Sequence, residues 1–503
     1  MLSRILGFIR DVVIAHAFGA GMAADAFFVA LKLPNFLRRL FSEGAFSTAF
    51  VPVFSDYRAE GDTEQIRTVV QSVFTTLALV LLAVVAVGEL LMPLLITVAA
   101  PGFRADPVKF GLAVDLTRVT FPYILFISLV ALAGGVLNSY RRFVVPAATP
   151  TILNITLIIG AVALAPLFTQ PAMGLAVGVL AGGVIQLAIQ WPALARVGTP
   201  FRWRWDPHHP AIQRILLLMG PSVLGVSVAQ INLLFDLFIA SWLPEGSISY
   251  LYYADRLVEF PLGLIGIAMG TAILPTLSDK ASRCDIDGLK QDLDFALRLI
   301  VVVNIPATVG LLLLREPLLT LLFQGGAFDS RSTELTARAL LAYGSGLLAF
   351  SAIKVIAPAF YAMKDTRTPV RIAITAMISN MVLNLLLMAP LQHVGLALAT
   401  SLSAFLNMGL LLYHLNRSIG YRMGQPLWSA VWRTTLASGA MGGLLVLWQA
   451  WLWQPQMSTL HQAALMTGAI TAAVLLFGAV AWLLRLHELR ELLQIIRHSR
   501  GQS

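Results

Sequence analysis

Ser3, Arg4, Arg10 and Asp11 stand in the first apolar run of this sequence, Asp25, Lys32, Arg38 and Arg39 in the second, and Asp255, Arg256 and Glu259 in the eighth. These are the side chains whose type and spacing could do chemistry. A planar guanidinium offers forked N–H donors that suit phosphate oxygens two at a time. A charge at the centre of a bilayer costs roughly 2.5 to 3.5 kcal/mol, so it persists when paired or when it faces a water-filled cavity. Lys32 and Arg39 read as end residues reaching for the headgroups. Arg256 and Glu259, three apart and well inside their run, share a helical face and can partly neutralise each other. Charges gathered on the opening helices of two halves imply one polar cavity, and the surplus of arginine implies an anionic, phosphorylated substrate.

A second set is uncharged except for one acid. Asp236 sits alone in INLLFDLFIASWL, Asn380 and Asn384 lie four apart, and Thr400 follows in the next run. Carboxylate, amide and hydroxyl oxygens are hard ligands that would suit a sodium ion or serve a proton. Hydrogen bonding between helices explains them equally well.

The elements that must hold these groups follow from composition. Of 503 residues 58% are apolar and only 12% charged, about half the charge of an ordinary soluble protein. That is too little for the skin of several soluble domains, and it points to a polytopic membrane protein built of helices. Apolar runs of about 20 residues, the length that crosses a bilayer, number about fourteen. Their limits are 1–19, 25–54, 68–98, 112–138, 146–166, 172–195, 212–243, 248–277, 292–314, 333–362, 369–389, 394–415, 428–450 and 462–484. The charged first run has no cleavage site after a clean apolar core, so it reads as a span rather than a signal peptide. With even connections inside, those loops and the tail hold about 18 Lys and Arg, against about four outside, namely Arg104, Lys109, Arg315 and Arg331. Both termini are therefore expected in the cytoplasm. The net charge of +9 is then the positive-inside bias and gives no reason to invoke nucleic acid.

Residues 47–56, STAFVPVFSD, and 270–279, GTAILPTLSD, agree at five positions with an offset of 223, and the same offset carries Pro146 onto Pro369. The expected architecture is all-α, with about 14 transmembrane helices arranged as two pseudo-symmetric six-helix lobes plus two C-terminal helices. The lobes are residues 1–196 and 197–422. Residues 423–503 hold the last two spans and a tail whose Leu486, Leu489, Leu493 and Ile496 would line one face of an amphipathic helix on the inner leaflet. Parallel repeats of this kind are a transporter architecture, with the substrate site between lobes near the midplane. Trp203, Trp205, Trp451 and Trp453 read as interfacial belts, and His208 and His209 as a solvated loop. Cys284, the single cysteine, excludes a disulfide framework.

The segments SRILGFIRD, FGAGMAADAFFVALKLPNFLRRLFSEGAFSTAFVPVF and YYADRLVEFPLGLIGIAMGTAILP resemble the MurJ (MviN) family of lipid II flippases, within the exporter superfamily of multidrug, oligosaccharidyl-lipid and polysaccharide carriers. The resemblance covers nearly the whole chain. It implies a bacterial inner-membrane protein that moves undecaprenyl-diphosphate-linked disaccharide pentapeptide from the cytoplasmic to the periplasmic leaflet for peptidoglycan synthesis. By that resemblance Ser3, Arg4, Arg10, Asp25, Arg38, Arg256 and Glu259 line a cationic cavity. The arginines would hold the diphosphate, and Asp25 and Glu259 would pair with them as the lobes rock. Asp236, Asn380, Asn384 and Thr400 resemble a sodium site found in some members, and coupling to membrane potential is expected. Members usually carry a further short segment before the SR motif, so a start upstream of Met1, or a shortened first helix, is expected. The partners implied are lipid II and membrane lipids, with no cofactor. The alternatives are an exporter of another polyprenyl-diphosphate-linked saccharide and a cation-coupled drug exporter. A drug exporter would want an acid-rich pocket. An enzyme acting on polyprenyl phosphates would place acids or histidines at a membrane face. Here the acids accompany arginines inside spans, so a carrier is expected rather than an enzyme.

Overall fold

The computed structural model describes residues 2–39, 46–454, 456–486 and 488, with the side chains of 2, 221–229, 264–265 and 267–268 left aside. Most of the expected amphipathic tail lies outside the described residues. Among them the secondary structure is helical, with one isolated bridge between Gly325 and Phe328.

The helices in order are α1 (Leu2–Phe18), α2 (Met22–Leu37), α3 (Ser47–Glu60), α4 (Thr63–Leu90), α5 (Met92–Ala99), α6 (Pro107–Thr120), α7 (Tyr123–Ser139), α8 (Val144–Ile159), α9 (Ala172–Arg196) and α10 (Pro210–Ala240). There follow α11 (Ser247–Pro261), α12 (Ile267–Ser282), α13 (Ile286–Leu313), α14 (Arg315–Leu322), α15 (Ser330–Ser345), α16 (Leu347–Ala362), α17 (Arg367–Ile419), α18 (Gln425–Trp451) and α19 (Thr459–Leu483). Every expected apolar run is largely helical among the described residues. Among the described residues nine helical stretches are long and apolar enough to cross a membrane, α6 with α7 and α15 with α16 each counting as one, and α17 being 53 residues with a break at Gln392.

Several runs expected as single helices are broken. The third divides at Leu91 and the fourth at Phe121–Pro122. Pro93 and Pro122 supply the cause, because proline has no N–H for the preceding turn and clashes with its carbonyl.

The duplication is visible in the turns as well as the helices. α4 and α13 begin and end at the same offset of 223, as do α5 and α14. Asp62 caps α4 by accepting the Glu64 N–H at 2.9 Å, and Asp285, 223 residues on, caps α13 through the Gly288 N–H at 2.9 Å. Asp106 and Asp329 repeat the device on α6 and α15. The turn after α7 has Arg141 left-handed at φ 57°, with the Arg142 N–H bonded to the Leu137 carbonyl at 2.9 Å. Lys364 at φ 61°, with Asp365 on Phe360 at 2.9 Å, reproduces it. Both are helix terminations in which a left-handed residue returns N–H groups to orphan carbonyls.

Two compact units result. The first comprises Met1–Ser249 with Gly325–Phe328, the second Tyr250–Gln324 with Asp329–Ser503. In the first, buried faces of α3, α4, α7 and α9 meet around Phe50, Phe54, Val69, Val73, Leu132 and Leu194, and α10 packs on α3. Its inserted segment caps α1: the Ala327 N–H donates to the His16 carbonyl at 2.8 Å. Gly19 turns the chain there at φ +65°, and a Cβ on it would stand 2.4 Å from the Ala327 carbonyl oxygen, so no side chain fits. In the second unit, α12, α13, α16 and α17 enclose Leu277, Leu289, Ile300, Val355, Phe360 and Leu411, while α18 and α19 pack together around Met441, Leu445, Ala469 and Ala473.

Candidate functional site

The first unit holds two charged assemblies. On α1, the Arg10 Nε and Nη2 donate to Asp11 Oδ1 at 2.9 and 2.6 Å. From α8, Asn154 Oδ1 accepts the Arg10 Nη1 at 2.9 Å, while its Nδ2 donates to the Ser3 carbonyl at 3.0 Å. Asn154 thereby joins guanidinium and helix backbone, its oxygen toward the cation and its nitrogen toward the carbonyl. Asp11 is 2% exposed, a burial that a carboxylate tolerates when a cation and directed hydrogen bonds replace water. Ser3 is half-buried beside this assembly, and Arg4 is exposed.

Asp25 forms the other assembly. It lies in the first turn of α2 and is 1% exposed. Its Oδ2 accepts the Lys109 Nζ at 2.8 Å and the Gly246 N–H at 2.8 Å, and its Oδ1 accepts the N–H and hydroxyl of Ser249 at 3.0 and 2.7 Å. Gly246 and Ser249 stand at the N-terminus of α11, where unsatisfied N–H groups and the helix dipole favour an anion. Lys109 also lies 4.4 Å over the Phe103 ring. Next to this site, Glu245 Oε1 accepts the Met22 N–H at 2.6 Å. Thus Arg10 has Asp11 as its carboxylate partner, and Asp25 is engaged by Lys109 and the start of α11. Lys109, assigned from sequence to an outer loop, is a buried cation in the first turn of α6.

Arg38 follows α2 and donates through Nε to Asn35 Oδ1 at 3.2 Å. In the second unit, Arg256 Nη1 meets Glu259 Oε2 at 2.5 Å, with its guanidinium 4.8 Å over the Tyr252 ring. The shared face expected from their spacing is thus realised. A π-helical turn, Leu262–Gly266, follows directly.

Of the candidate ion ligands, Asp236 lies in the first unit, half-buried, and accepts the Asn232 amide at 3.3 Å. In the second unit, buried Asn384 donates to Asn380 Oδ1 at 3.1 Å, and Asn380 donates to Thr400 Oγ1 at 3.4 Å. These three neutral side chains form one chain, with oxygens of the hard type that sodium takes.

Sequence reading passed over Lys109, Asn154 and Ser249, and it did not carry Asp11 forward as a partner. Asn154 had a signal, a lone amide within TILNITLII. Ser249, 224 residues from Asp25, had none.

The sequence and the fold have counterparts among known proteins. The family described as lipid II flippase MurJ matches residues 14–468. A relative from Vibrio cholerae, "Probable lipid II flippase MurJ", is 44% identical, covering 97% of this chain and 95% of its own. The "Lipid II flippase MurJ" of Burkholderia cenocepacia is 37% identical over 96% of this chain and 95% of its own. Among solved structures, "Lipid II flippase MurJ, inward closed conformation" superposes with a TM-score of 0.81 at 29% identity, covering 98% of each chain. An inward-facing multidrug transporter of the MOP superfamily shares the fold, with a TM-score of 0.69 at 13% identity over 83% of this chain and 94% of its own. A family match from α1 into α19 and a relative 44% identical along almost the entire length place the chain: it belongs to the lipid II flippase MurJ family.

Proposed function

We propose that this protein carries lipid II across the bacterial inner membrane, from the cytoplasmic to the periplasmic leaflet, by alternating access, with both termini in the cytoplasm. The observation that carries the reading is Arg10, a guanidinium held on α1 by Asp11 on one side and Asn154 on the other. A guanidinium so fixed is a preorganised receptor for a diphosphate, because little ordering remains to be done when the anion arrives. Arg4, Arg38 and Arg256 supply further positive charge, and Ser3 a hydroxyl. Glu259 keeps Arg256 paired until the anion competes for it. Asp25 serves at one remove: it grips Lys109 and the start of α11, and releasing that grip is a step of the cycle. The names borne by relatives such as those of Vibrio cholerae and Burkholderia cenocepacia support the same substrate. An acid-rich drug pocket is not what these arginines make.

Coupling belongs to the same proposal. Asn380, Asn384 and Thr400 would take sodium or relay a proton, Asp236 on α10 is a further candidate for either, and membrane potential would act on the charged side chains at about 2.3 kcal/mol per charge per 100 mV. Catalysis has no part in this reading.

Complementation tests the assignment. In cells depleted of their own flippase, Arg10→Ala and Arg256→Ala chains should insert at the normal level and fail to restore growth, with lipid II transport at least tenfold reduced. Transport at the unmodified level in both variants would remove the arginines from diphosphate binding.

A further inference from the structure

The linker between α9 and α10 alternates two arginines with two exposed tryptophans. After α9 the chain turns at Gly198, φ +79°, and runs as Phe201-Arg202-Trp203-Arg204-Trp205. Three anchors fix its path. The Gly198 carbonyl accepts the Arg67 Nε at 2.8 Å, the Phe201 ring stacks on Phe74 at 4.3 Å, and the Arg204 N–H donates to Thr75 Oγ1 at 2.8 Å. Phe201 is buried, and the four residues after it are exposed, Trp203 and Trp205 at 65% and 64%. Trp203 still leans on Phe74, 5.7 Å between ring centroids. Among the described residues neither Arg202 nor Arg204 has an ion pair or a side-chain hydrogen bond.

Two indoles this exposed suit a medium apolar on one side and wet on the other, which is the headgroup layer. The flanking helices α9 and α10 are apolar and place the ribbon at a membrane-helix end. Guanidiniums alternating with the indoles match the phosphodiesters found at that depth. The other repeat has a shorter turn of related build, with a single arginine and no indole. Gly420, left-handed at φ +67°, precedes buried Tyr421, whose hydroxyl reaches Asp294 at 3.3 Å, and then come exposed Arg422 and Met423.

We propose that residues 202–205 bind the phosphate of anionic phospholipids, the two guanidiniums taking the phosphodiester and the two indoles lying along its glycerol and upper acyl chains. Only the leaflet concerned rests on the orientation given under the proposed function; the binding itself does not.

The full-length protein, exchanged into mixed phosphatidylglycerol and phosphatidylcholine and examined by native mass spectrometry, tests this. The Arg202→Gln/Arg204→Gln chain should retain at least threefold less phosphatidylglycerol, with phosphatidylcholine unchanged. Trp203→Ala/Trp205→Ala, which keeps both charges, should lose phosphatidylglycerol too and guards against misfolding of the first variant. Arg141→Gln/Arg142→Gln, in the exposed turn after α7, should change nothing, and excess inorganic phosphate should not displace the lipid. Equal loss from the 141/142 variant would reduce the ribbon to general surface charge. Displacement by phosphate would make it a simple anion site, and undiminished retention in both ribbon variants would end the proposal. None of these outcomes depends on lipid II transport.

Discussion

Asn154 fixes the direction of Arg10 as much as Asp11 fixes its charge. Asp11 is adjacent in sequence and turns with α1, whereas Asn154 comes from α8, 144 residues away, and also holds the Ser3 carbonyl. Removing it should leave Arg10 paired with Asp11 but less firmly directed. Asn154→Ala is therefore expected to insert normally and to transport lipid II about ten times more slowly, in line with about 1.4 kcal/mol for one charge-assisted hydrogen bond. An unchanged rate would mean that Asn154 does not position the guanidinium. At this scale the sequence was half legible. Arginines inside apolar runs announce themselves, since nothing else explains their insertion penalty. Their partners do not, because an amide on one helix and a cation on another acquire meaning only once the helices pack.

Helices and turns were legible in order and less so in continuity. Hydrophobic runs mark where helix forms, and Pro146 and Pro369 marked the repeat. The breaks at Leu91 and Phe121 were hidden because a run stays apolar across a proline that interrupts its hydrogen bonds. The repeat also makes a prediction where its copies differ. Gly61 turns the chain after α3 at φ 80°, while Cys284, 223 residues on, does so at φ 56° with a side chain. A left-handed non-glycine residue costs roughly 1–2 kcal/mol, offset in part by the greater freedom of glycine in the unfolded chain. Cys284→Gly should stabilise the protein by about 0.5–1 kcal/mol in a thermal melt, and destabilisation would show that the turn favours the cysteine. The cap of α15 adds a dependence on pH. The Ser332 hydroxyl and then its N–H hold the Asp329 carboxyl below its ordinary 3.8. Its folded form thus stays ionised where the unfolded chain has taken up a proton, so its contribution is complete above about pH 4 and fades as the pH falls through the lowered value. Asn caps without titrating. The stability gap between the native chain and Asp329→Asn should be constant above pH 5 and shrink below pH 4. A gap independent of pH across that range would contradict the assignment.

For the molecule as a whole, the scarcity of charge decided the class, and the family to which the chain belongs supplied the function. Basic residues are most numerous in the loops, while Arg4 and Arg10 on α1, Lys32 on α2 and Arg256 on α11 lie within apolar runs, as do Arg118, Arg298, Arg338 and Lys354 elsewhere. What composition could not convey is that the buried charges form separate assemblies, Arg10 with Asp11 and Asn154, and Asp25 with Lys109 and the start of α11. The account makes one a receptor and the other a clasp, and both matter only if the cargo is a lipid-linked diphosphate crossing the bilayer. The direct measurement is the leaflet in which lipid II resides when this protein is depleted from growing cells, read by an enzyme or probe that reaches only the outer face. Lipid II should vanish from the outer leaflet and accumulate in the inner one, and it should return outside when the chain is expressed again. Undiminished outer-leaflet lipid II after depletion would contradict the account.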